Sequence, residues 1–241
     1  MNNEADLKNM LLEGAGQLSV DLDTLKADSL LKYKDVLAEW NEKINLTAIE
    51  DDRDVIIKHF IDSLSICQYV EKRDSMLIDV GTGAGFPGIP LKVAIEELKV
   101  TLLDSLDKRV KFLNEVISTL KLDGIRAVHG RAEEYGIKPE FREKYDIAVA
   151  RAVANLPVLL EYCLPFVKTG GIFIAMKGSS TEEVDASKKA LAELGGEIEN
   201  VIETTLPLSD IKRNIILIRK LRQTPTKYPR KAGKPSKEPI I

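Results

Sequence analysis

Residues 78–88 read Ile-Asp-Val-Gly-Thr-Gly-Ala-Gly-Phe-Pro-Gly, an apolar run entering a turn with four glycines. Glycine permits positive φ and lets a ligand lie directly against the main chain. Such a turn, at the carboxyl end of a strand, is where open α/β sheets bind their ligands. Gly83, Gly85 and Gly88 satisfy the dinucleotide pattern G-x-G-x-x-G. Gly81, Gly83 and Gly85 equally satisfy Asp-x-Gly-x-Gly-x-Gly, a loop that cradles S-adenosylmethionine. Asp104, 23 residues after Gly81, ends the next apolar run and could grip ribose hydroxyls in either cofactor, so it leaves both open. Pro87 suits the first turn of a following helix.

What the chain lacks narrows the chemistry. Hydride transfer usually needs a proton donor or acceptor beside the substrate, yet His59 and His129 are the only histidines. His59 falls in a helical stretch, and His129 at a strand end has an expected structural role. Cys67 and Cys163 are far apart and sit on apolar faces. They form no zinc ribbon or disulfide framework and fit a reducing cytoplasm. Neither is placed as a nucleophile, which sets aside cysteine-dependent C5 pyrimidine methylation. The Asp/Asn-Pro-Pro-Tyr/Phe stretch of exocyclic-amine methyltransferases is absent as well.

The elements that position the loop fall into three zones. Over residues 1–73, Leu30, Tyr33, Leu37, Trp40 and Ile44, then Ile57, Phe60, Leu64 and Cys67, repeat at helical spacing, which predicts a helical cap. Over 74–221, apolar runs at 76–80, 100–103, 125–128, 147–150 and 172–175 alternate with amphipathic stretches, the signature of βαβ units. Segments 201–205 and 215–218 are too close for a crossover helix. The expected fold is therefore α/β, a doubly wound, mostly parallel sheet ending in an antiparallel hairpin. The last zone, 222–241, holds four prolines and is expected to form no regular element. Its six basic residues against one acid give +5, and with a whole-chain charge of −3 the remainder carries −8. A basic tail on an acidic body suggests contact with a polyanion. The amino terminus has no signal-peptide pattern, and no apolar run approaches the ~18 residues of a membrane span.

Several separated blocks then carry a resemblance. They are Trp40-Asn-Glu-Lys-Ile-Asn-Leu-Thr-Ala48, His59-Phe-Ile-Asp-Ser-Leu64, the glycine turn from Asp79 to Gly88, and Leu103-Asp-Ser-Leu-Asp-Lys-Arg109. Arg131-Ala-Glu133, Arg151-Ala152 and Tyr228-Pro-Arg-Lys-Ala-Gly233 follow in order. Over nearly its whole length the chain resembles the bacterial small-subunit ribosomal RNA guanine-N7 methyltransferases, the glucose-inhibited division protein B family. The resemblance implies a class I, Rossmann-like methyltransferase fold and S-adenosylmethionine as cofactor. It carries cofactor contacts onto Gly81, Phe86, Ala132, Glu133 and Arg151, to which the chemistry of the loop adds Gly83 and Asp104. Each has a plainer reading: Phe86 as core, Arg151 as a strand end, Glu133 as one of a solvated acidic pair.

The implied substrate is 16S ribosomal RNA, free or in the 30S subunit or its precursor, with no metal, no membrane and no obligate protein partner. Guanine N7 has a lone pair and no proton to lose, so positioning alone can drive the transfer, and no catalytic acid or base is expected. The base is expected to enter from an opened loop. Lys177, Arg222, Lys227, Arg230, Lys231 and Lys234 are the candidate RNA contacts. Removal of residues 222–241 is expected to weaken RNA binding and leave the cofactor's affinity intact. Two other readings stand beside this one: a non-catalytic RNA-binding assembly factor and a nicotinamide-dependent oxidoreductase.

Overall fold

In the computed structural model, which describes residues 4–151, 154–178 and 182–241, the chain opens with α1 (Glu4–Gln17) and α2 (Thr24–Ile44). A broken helix follows, made of α3 (Asp52–Val55), a π-helical run (Ile56–Ile61) and α4 (Asp62–Leu64). The α/β portion alternates β1 (Met76–Val80), α5 (Gly88–Ala94), β2 (Lys99–Asp104), α6 (Asp107–Leu120) and β3 (Ile125–His129). It continues through α7 (Ala132–Tyr135), β4 (Tyr145–Arg151), α8 (Leu156–Cys163) and β5 (Val167–Lys177). Helices α9 (Glu182–Ala186) and α10 (Lys188–Leu194) lead to β6 (Gly196–Thr205) and β7 (Lys212–Lys220), and α11 (Lys234–Lys237) lies near the end. Ala152, part of one block of the resemblance, lies outside the described residues.

The strands form one sheet in the order β3-β2-β1-β4-β5-β7-β6. All pairings from β3 to β5 are parallel, and β7 runs antiparallel to both β5 and β6. The expected hairpin is therefore present, with its second strand inserted inside its first. Strand periodicity divides the apolar runs between two cores. Leu77, Val100, Leu102, Ile147 and Val149 join Leu30, Tyr33 and Phe60 of the N-terminal helices. Ile78, Val80, Leu103, Ala148 and Ala150 face α8 on the other side. Covering on both faces is why these strands read as continuous apolar runs.

Two local expectations change. Pro87 caps α5 instead of entering its first turn. The proline-rich tail contains α11, with Pro235 in the first turn, where its missing N–H is not needed. That tail is also fastened down. Arg142 donates from Nη1 to Tyr228 O at 2.8 Å and from Nη2 to Thr224 O at 2.6 Å. Buried Lys220 donates to Thr224 Oγ1 at 2.6 Å, and Thr224, Tyr228 and Ile240 are buried.

Candidate functional site

The glycine turn leaves β1 with positive φ at Gly81 (71°), Gly83 (62°) and Gly85 (94°). Gly81 N donates to Leu103 O at 2.8 Å, and Gly83 N donates to Asp104 Oδ2 at 2.9 Å, tying the turn to the end of β2. Asp79 anchors it from below: its Oδ2 accepts from Thr82 Oγ1 at 2.6 Å and Gly88 N at 2.8 Å. Burial pushes the Asp79 carboxyl up to about 6, against those two hydrogen bonds. Two glycines do different work. A Cβ on Gly85 would stand 2.5 Å from Ile89 Cδ1 and 2.7 Å from the Tyr33 hydroxyl, whereas a Cβ on Gly83 would meet nothing within 4 Å. Gly85 serves packing, and Gly83 keeps a crevice open.

That crevice holds about 390 Å³, lined by Gly81, Thr82, Gly83, Phe86, Asp104 and Arg151, with Thr47 and His59 from the cap. His59 stacks on Phe86, ring centroids 4.4 Å apart and planes 14° apart. Arg151 Nη2 lies 3.1 Å from His59 Nδ1. A guanidinium can only donate, so Nδ1 must accept. Burial first, then the Arg151 charge, pushes the His59 pKa down to about 3. The ring is neutral, and its one proton sits on Nε2, which donates to Thr47 Oγ1 at 2.9 Å. Thr47 in turn is held by Asn41, whose Oδ1 accepts from Leu46 N and Thr47 N at 2.7 and 2.9 Å, just past the end of α2.

Arg151 is itself fixed. Nη1 donates to Lys58 O at 3.0 Å and to Asp62 Oδ2 at 3.1 Å. Asp62 Oδ1 accepts from Arg213 Nε at 3.2 Å. Burial raises the Asp62 carboxyl, opposed by the two arginines. Of the five guanidinium N–H groups of Arg151, the Nε hydrogen and one Nη2 hydrogen have no acceptor among the described residues.

A second crevice of about 230 Å³ lies beyond the ends of β2 and β3 and shares Gly81 and Ser105 with the first. Gly130, Arg131, Ala132, Glu133, Tyr162 and Ser236 are among its lining residues. Glu133 is 7% exposed, and its Oε1 accepts from Gly233 N at 2.9 Å, so it is no member of a solvated pair. All seven residues expected at a cofactor site thus reach these two crevices: Gly81, Gly83, Phe86, Asp104 and Arg151 in the first, Ala132, Glu133 and again Gly81 in the second. Sequence reasoning missed His59, Thr47, Asp62 and Ser236. The spacing of His59 and Asp62 places both on one helix face, and they share one block of the resemblance. That was the available signal.

The basic candidates fare differently. Arg230 donates from Nε and Nη2 to the carboxylate of Glu161, at 2.9 and 2.6 Å. Lys177 Nζ contacts Ala154 O at 2.7 Å and Glu183 at 2.9 Å. Both cations are largely covered and serve the fold, which argues against the phosphate contacts expected of them. Arg222 donates to Ala192 O. Lys227 pairs with Glu193 at 3.0 Å, and Lys234 lies 3.6 Å from Glu238. Lys231 is exposed.

Similar proteins agree with this architecture. A protein of Acetivibrio thermocellus named ribosomal RNA small subunit methyltransferase G is 66% identical over 237 residues, 98% of each chain. One of the same name from Alkaliphilus oremlandii is 57% identical over 98% of this chain and 99% of its own. Among solved structures, geranyl diphosphate methyltransferase in complex with SAM gives a TM-score of 0.51 at 12% identity, covering 66% of this chain and 83% of that one. TYW2 of M. jannaschii in complex with AdoMet gives 0.50 at 12% identity, covering 64% and 73%. These two share the fold. The GidB family, described as rRNA small subunit methyltransferase G, matches residues 26–216, and the chain belongs to that family.

Proposed function

We propose that this protein transfers a methyl group from S-adenosylmethionine to N7 of a guanine in 16S ribosomal RNA. The observation that carries the proposal is the state of the crevice's only imidazole. His59 has its Nδ1 lone pair taken by Arg151 and its pKa pushed down to about 3, so it cannot act as a base near neutrality. The Asp104 carboxylate already accepts from Gly83 N and Leu106 N. A crevice whose imidazole cannot take a proton, and whose carboxylate is tied to the glycine turn, suits a nucleophile with no proton to lose, which N7 is.

The residues present fit the donor. Gly83 leaves open the space a side chain would fill. Asp104 retains acceptor capacity, because each carboxylate oxygen has two lone pairs, and this suits a ribose diol. The two unengaged N–H groups of Arg151 and the Thr47 hydroxyl suit an amino-acid carboxylate. Glu133 and Ala132 suit the purine end. When bound, S-adenosylmethionine supplies an electrophilic methyl carbon on a sulfonium. The chain's part is to hold the pieces still: Asp79 and Asp104 lock the glycine turn, and the Phe86–His59 stack fixes one wall. Positioning of this kind can be worth about 7–11 kcal/mol of a barrier.

The substrate follows from the family and its relatives' names: ribosomal RNA, as naked RNA, 30S subunit or precursor, in the cytoplasm where ribosomes assemble. The guanine enters unstacked, since RNA bases are read where they can be splayed out. The test is transfer of labelled methyl from S-adenosylmethionine to 16S RNA, followed by mass mapping of the modified base. Label in 7-methylguanine is expected. Label on another atom, or none on any form of the RNA, refutes the assignment.

A further inference from the structure

We infer that the C-terminal segment is a wall of the donor site: Ser236 lines the second crevice and Gly233 holds its Glu133, so ordering of residues 232–241 and donor binding are coupled. The inference rests on the methyl-donor reading above. If Asp104 at the end of β2 holds the ribose, the attached purine continues along the sheet edge toward β3. That is where Gly130, Arg131, Ala132 and Glu133 line the smaller crevice.

The tail reaches this place by two direct contacts. Gly233 N donates to Glu133 Oε1 at 2.9 Å, and the hydroxyls of Ser236 and Tyr162 lie 2.8 Å apart. Ser236 and Tyr162 both line the crevice. Holding Glu133 by one oxygen leaves Oε2 without a hydrogen-bond partner among the described residues, an acceptor suited to the exocyclic amine that adenine presents as a donor. The carboxylate that would recognise the donor is thus oriented by the tail.

Its anchorage is uneven, and this makes coupling possible. Arg230 is fixed three times on Glu161, by its backbone N at 2.8 Å and by Nε and Nη2. Beyond it, Lys231, Ala232, Lys234, Ser236, Lys237 and Glu238 are exposed, and Pro235 and Ile240 alone are buried. Segments with few buried contacts open locally at low free energy. A donor that touches Glu133 favours the closed segment, and by linkage the closed segment favours the donor to the same degree. Deletion of the tail therefore weakens donor binding itself, contrary to what the basic composition alone suggests.

The test is amide hydrogen exchange on the full chain with and without S-adenosylhomocysteine, the unreactive product. Slowing of at least tenfold is expected both at residues 81–85 and at the amides of 233, 234, 236 and 237. Slowing at 81–85 with none at the tail overturns this inference and leaves the donor reading standing. No slowing at either place overturns both. A chain ending at Lys231, which keeps the Thr224, Tyr228 and Arg230 anchors, is expected to bind S-adenosylhomocysteine at least tenfold more weakly in calorimetry. Unchanged affinity in that variant overturns the coupling.

Discussion

The two walls of the site come from opposite ends of the chain and are built differently. The N-terminal wall is a stack of Tyr33, Phe86 and His59, continuous with the apolar core, with Tyr33 donating to Ala84 O inside the glycine turn. The C-terminal wall is a mostly exposed segment, with Pro235 and Ile240 buried and Ile241 O held by Lys189, joined to the second crevice by single hydrogen bonds at Gly233 and Ser236. Each wall hangs on one buried carboxylate. Asp62, at 3% side-chain exposure, is shared by Arg151 and Arg213, and Glu161, at 1%, is held by Arg230. A wall fused to the core is in place before any ligand arrives. A wall hung on one ion pair can still be ordered by what it encloses.

The largest expected effect is on the N-terminal wall and depends on pH. The His59 pKa in the folded chain, about 3, lies below its ordinary 6.5. Between those values the unfolded chain binds the extra proton, so the stability contribution is complete above pH 6.5 and is lost as pH falls toward 3. At about 1.4 kcal/mol per pH unit, the loss reaches roughly 2 kcal/mol by pH 5 and at most about 5 kcal/mol by pH 3. Asp79 works in the opposite sense, since its raised pKa favours the folded state below about 4 and the gain fades as pH rises through 6. That opposing contribution cancels when the wild type is compared with His59→Gln. Denaturant melts of the two from pH 7 to pH 3 should therefore diverge, the wild type losing more. Parallel curves would show that His59 is not buried neutral.

Next come the two anchors, which test the comparison directly. Arg230→Met leaves the Glu161 carboxylate with the backbone N–H of residue 230 as its remaining hydrogen-bond partner among the described residues. Breaking a buried pair from one side costs about 4 kcal/mol, readable in urea melts, and adding Glu161→Met should restore most of it. Arg151→Met leaves Asp62 its bond to Arg213, so no buried carboxylate is stranded; with the bonds to Lys58 O and His59 Nδ1 also lost, the cost is about 3 kcal/mol, the upper end for hydrogen bonds to a charged group. Donor affinity should nonetheless drop at least tenfold, since Arg151 lines the crevice. A stability loss larger for Arg151→Met than for Arg230→Met would reverse the ranking and with it the account of how each wall is held.

How far the sequence reveals these walls follows from what their contacts depend on. The glycine turn, the acid ending β2 and the alternation of strand and helix are local patterns, so residues 76–88 and 104 identify themselves. The final hairpin is legible because its connection is too short for anything else. His59 is not, for its role arises from residues 27 and 92 positions away in the chain, Phe86 and Arg151. A histidine inside a helical stripe looks structural until the sheet edge is brought against it. The tail misleads for a related reason. Composition reports charge and proline content, but the buried carboxylate that captures Arg230 lies 69 positions away and leaves no mark on the local sequence.

The smallest stability effect separates fold from site within the glycine turn itself. At Gly83 an added methyl meets nothing within 4 Å, so the cost of Gly83→Ala is the left-handed backbone at φ 62° alone. For a residue bearing a Cβ that is about 1–2 kcal/mol. The same methyl projects into the crevice where the donor is proposed to lie, and it should lower the affinity for S-adenosylhomocysteine at least tenfold, about 1.4 kcal/mol of binding. Gly85→Ala inverts the pattern: its methyl meets Ile89 and the Tyr33 hydroxyl, so stability suffers and the crevice lining does not gain an atom. Calorimetric binding and thermal melts on the two variants read the two effects separately. If Gly83→Ala binds the product as tightly as wild type, the open space at that position is not where the donor lies, and the fixed wall encloses something else.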